Sequence, residues 1–144
     1  MKKIMPVLLI IVAFCGCASS ALKNQEKDVA IHYKAVTRGR SVEVTVNKDS
    51  VLASDSRAGL KASTAINKQD WEKILQLLNK VKLEGMQGLE APSSKRMYDG
   101  ALSAALEVTV KDKAYRSNGF DHGNPPAEIA PLVAGLLNLA GIKE

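Results

Sequence analysis

The sequence predicts an α+β fold: an antiparallel sheet ordered as a β-meander, a helix, a β-hairpin and a helix, with two amphipathic helices packed on one of its faces. Three observations predict it. Val29, Ile31, Tyr33 and Ala35 alternate with His32 and Lys34, and Val42, Val44 and Val46 alternate with Glu43 and Thr45, which is the period of half-buried strands. Trp71, Ile74, Leu75, Leu78 and Val81 then recur at helical spacing. A second helical stripe, Ile129, Leu132, Val133, Leu136, Leu139 and Ala140, lies near the end of the chain.

The first two strands are joined by "TRGRS", where Gly39 suits a hairpin and Arg38 and Arg40 read as a solvated turn rather than an anion site. "SVLAS" and "LKASTAI" add two shorter strands across the turn "DSRAG". The first helix is expected from Lys68 to Lys82, with Asn67 as its N-cap and Asp70 placing negative charge in its first turn. Its Trp71 is the one tryptophan of the chain, and its place on the apolar stripe assigns it to the core rather than to a sugar-stacking platform. After the long connection "GMQGLEAPSSKRMYDG", Leu102, Ala104, Leu106, Val108 and Val110 alternate with Ser103, Ala105, Glu107 and Thr109. Asp112 and Lys113 turn the chain into "AYRSNGF", and the final helix stops at Gly141, a favoured C-cap. No repeat or low-complexity segment interrupts this order.

The N-terminus reads as an address. Lys2 and Lys3 precede the apolar run "IMPVLLIIVAF", eleven residues long, which suits a signal peptide and is too short to cross a bilayer. "FCGCASS" follows it and resembles the lipobox of bacterial lipoproteins, with Cys17 as the modified residue. The resemblance implies cleavage before Cys17 and two or three acyl chains, of the palmitate class, on the new terminus. At about 0.8 kcal/mol per buried methylene, such a terminus is a lasting anchor. The alternative is an ordinary cut after Ala18. Residues 1–16 are thus expected to be signal, residues 17–27 a lipidated terminus and polar linker, and residues 28–144 a single α+β domain.

Cleavage before Cys17 leaves 128 of the 144 residues and removes Cys15, so the domain carries no thiol for a disulfide, a thiolate metal site or a nucleophile. Loss of Lys2 and Lys3 lowers the formal net charge from +5 to +3. The expected setting is the cell envelope: a lipid-anchored outer-membrane protein facing the periplasm. Its partner is the bilayer itself, with an envelope protein or glycan as a further partner of unknown identity. A secretion signal excludes nucleic acid.

Thr37 to Gly39, Trp71, Asp99 with Gly100, and Phe120 to Pro126 together resemble the motifs of small, uncharacterised lipoproteins of Bacteroidota-type bacteria, over most of residues 29–140. The resemblance implies no activity. Pro131 departs from it, because a proline there is unsuited to a helix that runs on from Pro126.

Phosphate-binding glycine loops, paired histidines at helical spacing and a Gly-x-Ser-x-Gly elbow are absent from the sequence. What remains is "GFDHGNPP", residues 119–126, which holds His122, one of two histidines. Two readings compete. Asp99, Asp121 and His122 could meet and hold a metal or a polarised water, which would make the protein a metal-dependent or hydrolytic envelope enzyme. Alternatively the loop is structural: Pro126 opens a helical turn, and Asp121 or Asn124 accepts the free backbone N–H groups of Ala127 and Glu128, with His122 packed beside Asp121. The structural reading is the expected one, with no catalytic residue, no metal and no cofactor.

Overall fold

The computed structural model describes residues 28–143. They form mixed helices and an antiparallel sheet of seven strands. The strands are β1 (Val29–Thr37), β2 (Arg40–Asn47), β3 (Ser50–Asp55), β4 (Leu60–Ala65), β5 (Ser103–Val110), β6 (Lys113–Arg116) and β7 (Phe120–Asp121). The helices α1 (Lys68–Leu78) and α2 (Ala130–Leu139) follow β4 and β7, and two short 3-10 turns, Leu83–Gly88 and Lys95–Tyr98, lie between α1 and β5. The sheet order is β4-β3-β2-β1-β5-β6, and β7 pairs with the start of β5 through Ser103↔Asp121 and Ala104↔Phe120.

Alternation decides which side of the sheet is dry. Ile31, Tyr33 and Ala35 of β1, Val42, Val44 and Val46 of β2, and Ala104, Leu106 and Val108 of β5 are all buried. They share a core with Trp71, Ile74 and Leu78 of α1 and Leu132, Val133, Leu136 and Leu137 of α2. A one-residue slip would exchange these for His32, Lys34 and Glu43, so the register is fixed by hydrophobicity itself. Gly135 lets the two helices approach closely: a Cβ there would lie 2.8 Å from Leu77 Cδ1 and 3.4 Å from Ile74 Cδ1.

Both helices are shorter than their periodicity suggests. α1 begins as expected, with the Asn67 side chain accepting the Asp70 N–H at 2.8 Å, but it ends at Leu78 rather than near Lys82. Asn79 is a weak helix former, and from there the chain tightens: the Lys80 and Val81 amides bond to Leu77 and Leu78 three residues back. α2 starts at Ala130, not at Pro126, and Pro131 sits in its first turn, where a missing N–H leaves no intrahelical bond unmade. Pro126 instead opens a separate turn, its carbonyl accepting from the Ile129 and Ala130 amides.

Candidate functional site

Asp121 closes β7 and is 1% exposed. Its carboxylate does not cap α2, whose N-cap, Ile129, receives no side-chain bond. It points to the connection before β5. Oδ2 accepts from Ser93 Oγ at 2.6 Å and from the Lys95 amide at 2.7 Å. Oδ1 accepts from the Arg96 amide at 3.0 Å and from Arg96 Nη1 at 3.1 Å. Lys95 and Arg96 open the Lys95–Tyr98 turn, so the carboxylate supplies the acceptors that the first amides of a helical turn need. Ser94, the residue at the cap position itself, makes no such bond. Burial by itself raises the Asp121 pKa. The hydrogen bonds from Ser93, Arg96 and Lys95 outweigh it and hold the carboxyl well below the usual range.

The rest of the loop supports that strut. The Asp121 carbonyl accepts the Asn124 amide at 2.8 Å, and Gly123, third in this turn, has φ of 85°, as a type II turn requires. Asn124 Nδ2 donates to Ser93 Oγ at 2.8 Å, and its side chain does not serve as the acceptor expected for the Ala127 and Glu128 amides. His122 turns away from the carboxylate: its ring lies 5.9 Å from that of buried Tyr33, with Nδ1 2.6 Å from the tyrosine hydroxyl. Its backbone N–H closes the ladder onto the Leu102 carbonyl.

Asp99 does not join Asp121 and His122 in a metal-holding group, and among the described residues no such group of His, Cys, Asp or Glu exists. It ends the Lys95–Tyr98 turn in the left-handed region, with φ of 60°. From there it lines a hollow of about 220 Å³ with Arg38, Gly39, Arg40, Arg57 and Leu102. The hairpin turn after Thr37 and the Asp99–Gly100 step are thus neighbours, at the end of the sheet where β1 finishes. Met97 and Tyr98 are 74% and 70% exposed. The Tyr98 ring lies against Gly100 of this hollow, whereas Met97 lines a separate one with Arg96, Asn118 and Gly119.

Arg40 departs from the solvated turn expected of it. Nη2 and Nε donate to the Asp55 carboxylate at 2.7 and 3.2 Å, and Asp55 is buried. Asp55 also accepts from the Arg57 and Ala58 amides and so fixes the β3–β4 turn. The Arg40 guanidinium, and after it those two amides, lower its pKa to about 2 against the cost of burial. Arg38 remains exposed, as does Arg57. Sequence reasoning missed this pair and the roles of Ser93, Arg96 and Tyr33. The aspartate opening "DSRAG" and the serines before "KRMY" were the available signals, both typical of residues that close turns.

The signal peptide (1–16), the lipidation site Cys17 and the linker (17–27) lie outside the described residues. Among the described residues no helix is long and apolar enough to cross a membrane. In comparison with known proteins, the chain matches no family model and no curated protein.

Proposed function

We propose that the protein is a membrane-anchored envelope lipoprotein, tethered through acylated Cys17 as in the small lipoproteins of Bacteroidota-type bacteria that it resembles, and that its domain acts by binding rather than by catalysis. In this reading the domain is a meander, a helix, a hairpin and a helix, with both helices on one face of the sheet. The observation that carries it is the saturation of Asp121: both carboxylate oxygens are committed to Ser93, Lys95 and Arg96. A general base or metal ligand needs a lone pair directed at its substrate. The exposed groups suited to recognition, Arg38, Arg57 and Tyr98, gather around the hollow at the far end of β1. Val29 opens that nine-residue strand, so this end stands about 26 Å from where the tether enters. It faces away from the membrane towards a periplasmic protein or glycan.

The test is a photocrosslinking residue in place of Tyr98 in the full chain, in its own envelope, with and without Arg38→Glu and Cys17→Ser. The reading expects one dominant adduct that Arg38→Glu removes, and a Cys17→Ser chain that leaves the membrane fraction. Adducts unaffected by Arg38→Glu, or a Cys17→Ser chain that resists high-salt extraction from the membrane, contradict it.

A further inference from the structure

The two edges of the sheet are treated differently. β6 is four residues long, carries Lys113 and Arg116, and packs against the Leu83–Gly88 turn, to which the Lys113–Glu84 pair also ties it. Those are the usual protections of an edge strand. β4 keeps only one of them among the described residues, the charge of Lys61: it is six residues long and has no proline, and Lys61, Ser63, Thr64 and Ala65 are exposed.

Hydrogen-bond parity shows which backbone groups β4 leaves free. The Ile66 amide donates to the Asp49 carbonyl, extending the ladder in which Thr64, Ala62 and Leu60 face Val51, Ala53 and Asp55. In an antiparallel pair such inward residues alternate with outward ones. The N–H and C=O groups of Lys61, Ser63 and Ala65 therefore point out of the sheet.

From this edge we infer that the protein self-associates, β4 pairing antiparallel with β4 of a second copy about a two-fold axis at Ser63. That register sets Ser63 opposite Ser63 and Lys61 opposite Ala65. All three outward residues fall at hydrogen-bonded positions, giving about six backbone bonds across the seam. No like charges face one another, because Lys61 meets alanine across the seam and Ser54 on its own side. The two-fold axis is perpendicular to the sheet, so the helices of both copies stay on the same side and the polar faces run on together. A second copy meets all three outward residues at once and sets the strand's one charge, Lys61, opposite uncharged Ala65.

The experiment uses the full chain. Oxidation of Ser63→Cys should trap a dimer above the background of the unsubstituted chain, since facing Cα atoms at a hydrogen-bonded pair lie about 5.5 Å apart, within disulfide reach. Leu52→Cys, one strand further in beside Ser63, should not, because its two copies would stand about 14 Å apart. Ser63→Pro removes an outward N–H without touching the β3 ladder, and should weaken the dimer at least about tenfold in sedimentation with unchanged secondary structure. Should that variant misfold, Ala65→Lys, which sets like charges opposite Lys61, should weaken the dimer alone. Equal trapping of Leu52→Cys and Ser63→Cys would overturn the inference. So would a monomer that Ser63→Cys cannot trap, as expected if residues 18–27 of the same chain cover the edge.

Discussion

The Ser93 hydroxyl and the Asp121 carboxylate meet at 2.6 Å across 28 residues of chain. Through that contact and the adjoining Lys95 and Arg96 amides, the end of β7 holds the long connection between α1 and β5 against the sheet. Replacing Asp121 by alanine strands those donors beside a buried site. Loss of about 3 kcal/mol or more is expected, the scale of breaking a buried charge-assisted network rather than of losing one helix cap. Chemical denaturation measures it, and a midpoint equal to wild type would return the loop to the list of exposed turns. Zinc titration of the wild-type chain should show no stoichiometric binding.

Acid stability follows from the same kind of contact. Asp55 and Asp121 both have pKa values depressed in the folded protein. Their stabilisation is complete above the unfolded carboxyl range, near pH 4, and is lost as pH falls through the folded values. For Asp55, whose folded pKa is about 2, the loss is about 2 kcal/mol between pH 4 and 2. Asp121 extends the decline below that. Unfolding free energies should be flat in this respect from pH 7 to about 5, and Asp55→Asn should have a shallower acid limb than wild type. An equal slope in both proteins would show that the Arg40 pair does not set it.

Trp71 tests the core. It is 3% exposed on α1, and its indole Nε1 has no hydrogen-bond partner among the described residues. Truncation to alanine is expected to cost about 3 to 5 kcal/mol. Trp71→Phe should cost less than half as much, since it gives up volume but also deletes a buried, unsatisfied donor. Equal losses in the two variants would mean that the indole N–H is bonded in solution.

How far these features could be read from the sequence depended on the range of the interactions behind them. The alternation through Ile31, Tyr33 and Ala35 and the stripe of Trp71, Ile74 and Leu78 are local, and the structure buries those residues. The Asn67 cap was legible for the same reason, because its partner lies three residues away. Asp121 was legible as an anchor but not in its target. Helix polarity drew attention to the nearest free amides, Ala127 and Glu128, whereas its acceptors were used by a turn 25 and 26 residues upstream. That turn lies in a connection without periodicity. Arg40 was misread because a hairpin arginine is ordinarily solvated, and only the register of β2 with β3 brings it over buried Asp55.

Native-state hydrogen exchange at the Lys95 and Arg96 amides tests the structural role of Asp121 most directly. Both amides open a 3-10 turn, and the Lys95 residue is exposed, so nothing in the turn itself would slow their exchange. If the carboxylate holds them, the two amides are protected in the wild-type chain by at least about a hundredfold over a free peptide, and Asp121→Asn removes most of that protection while buried β1 amides stay slow. Exchange at the free-peptide rate in the wild type, or protection that survives Asp121→Asn unchanged, would contradict the strut.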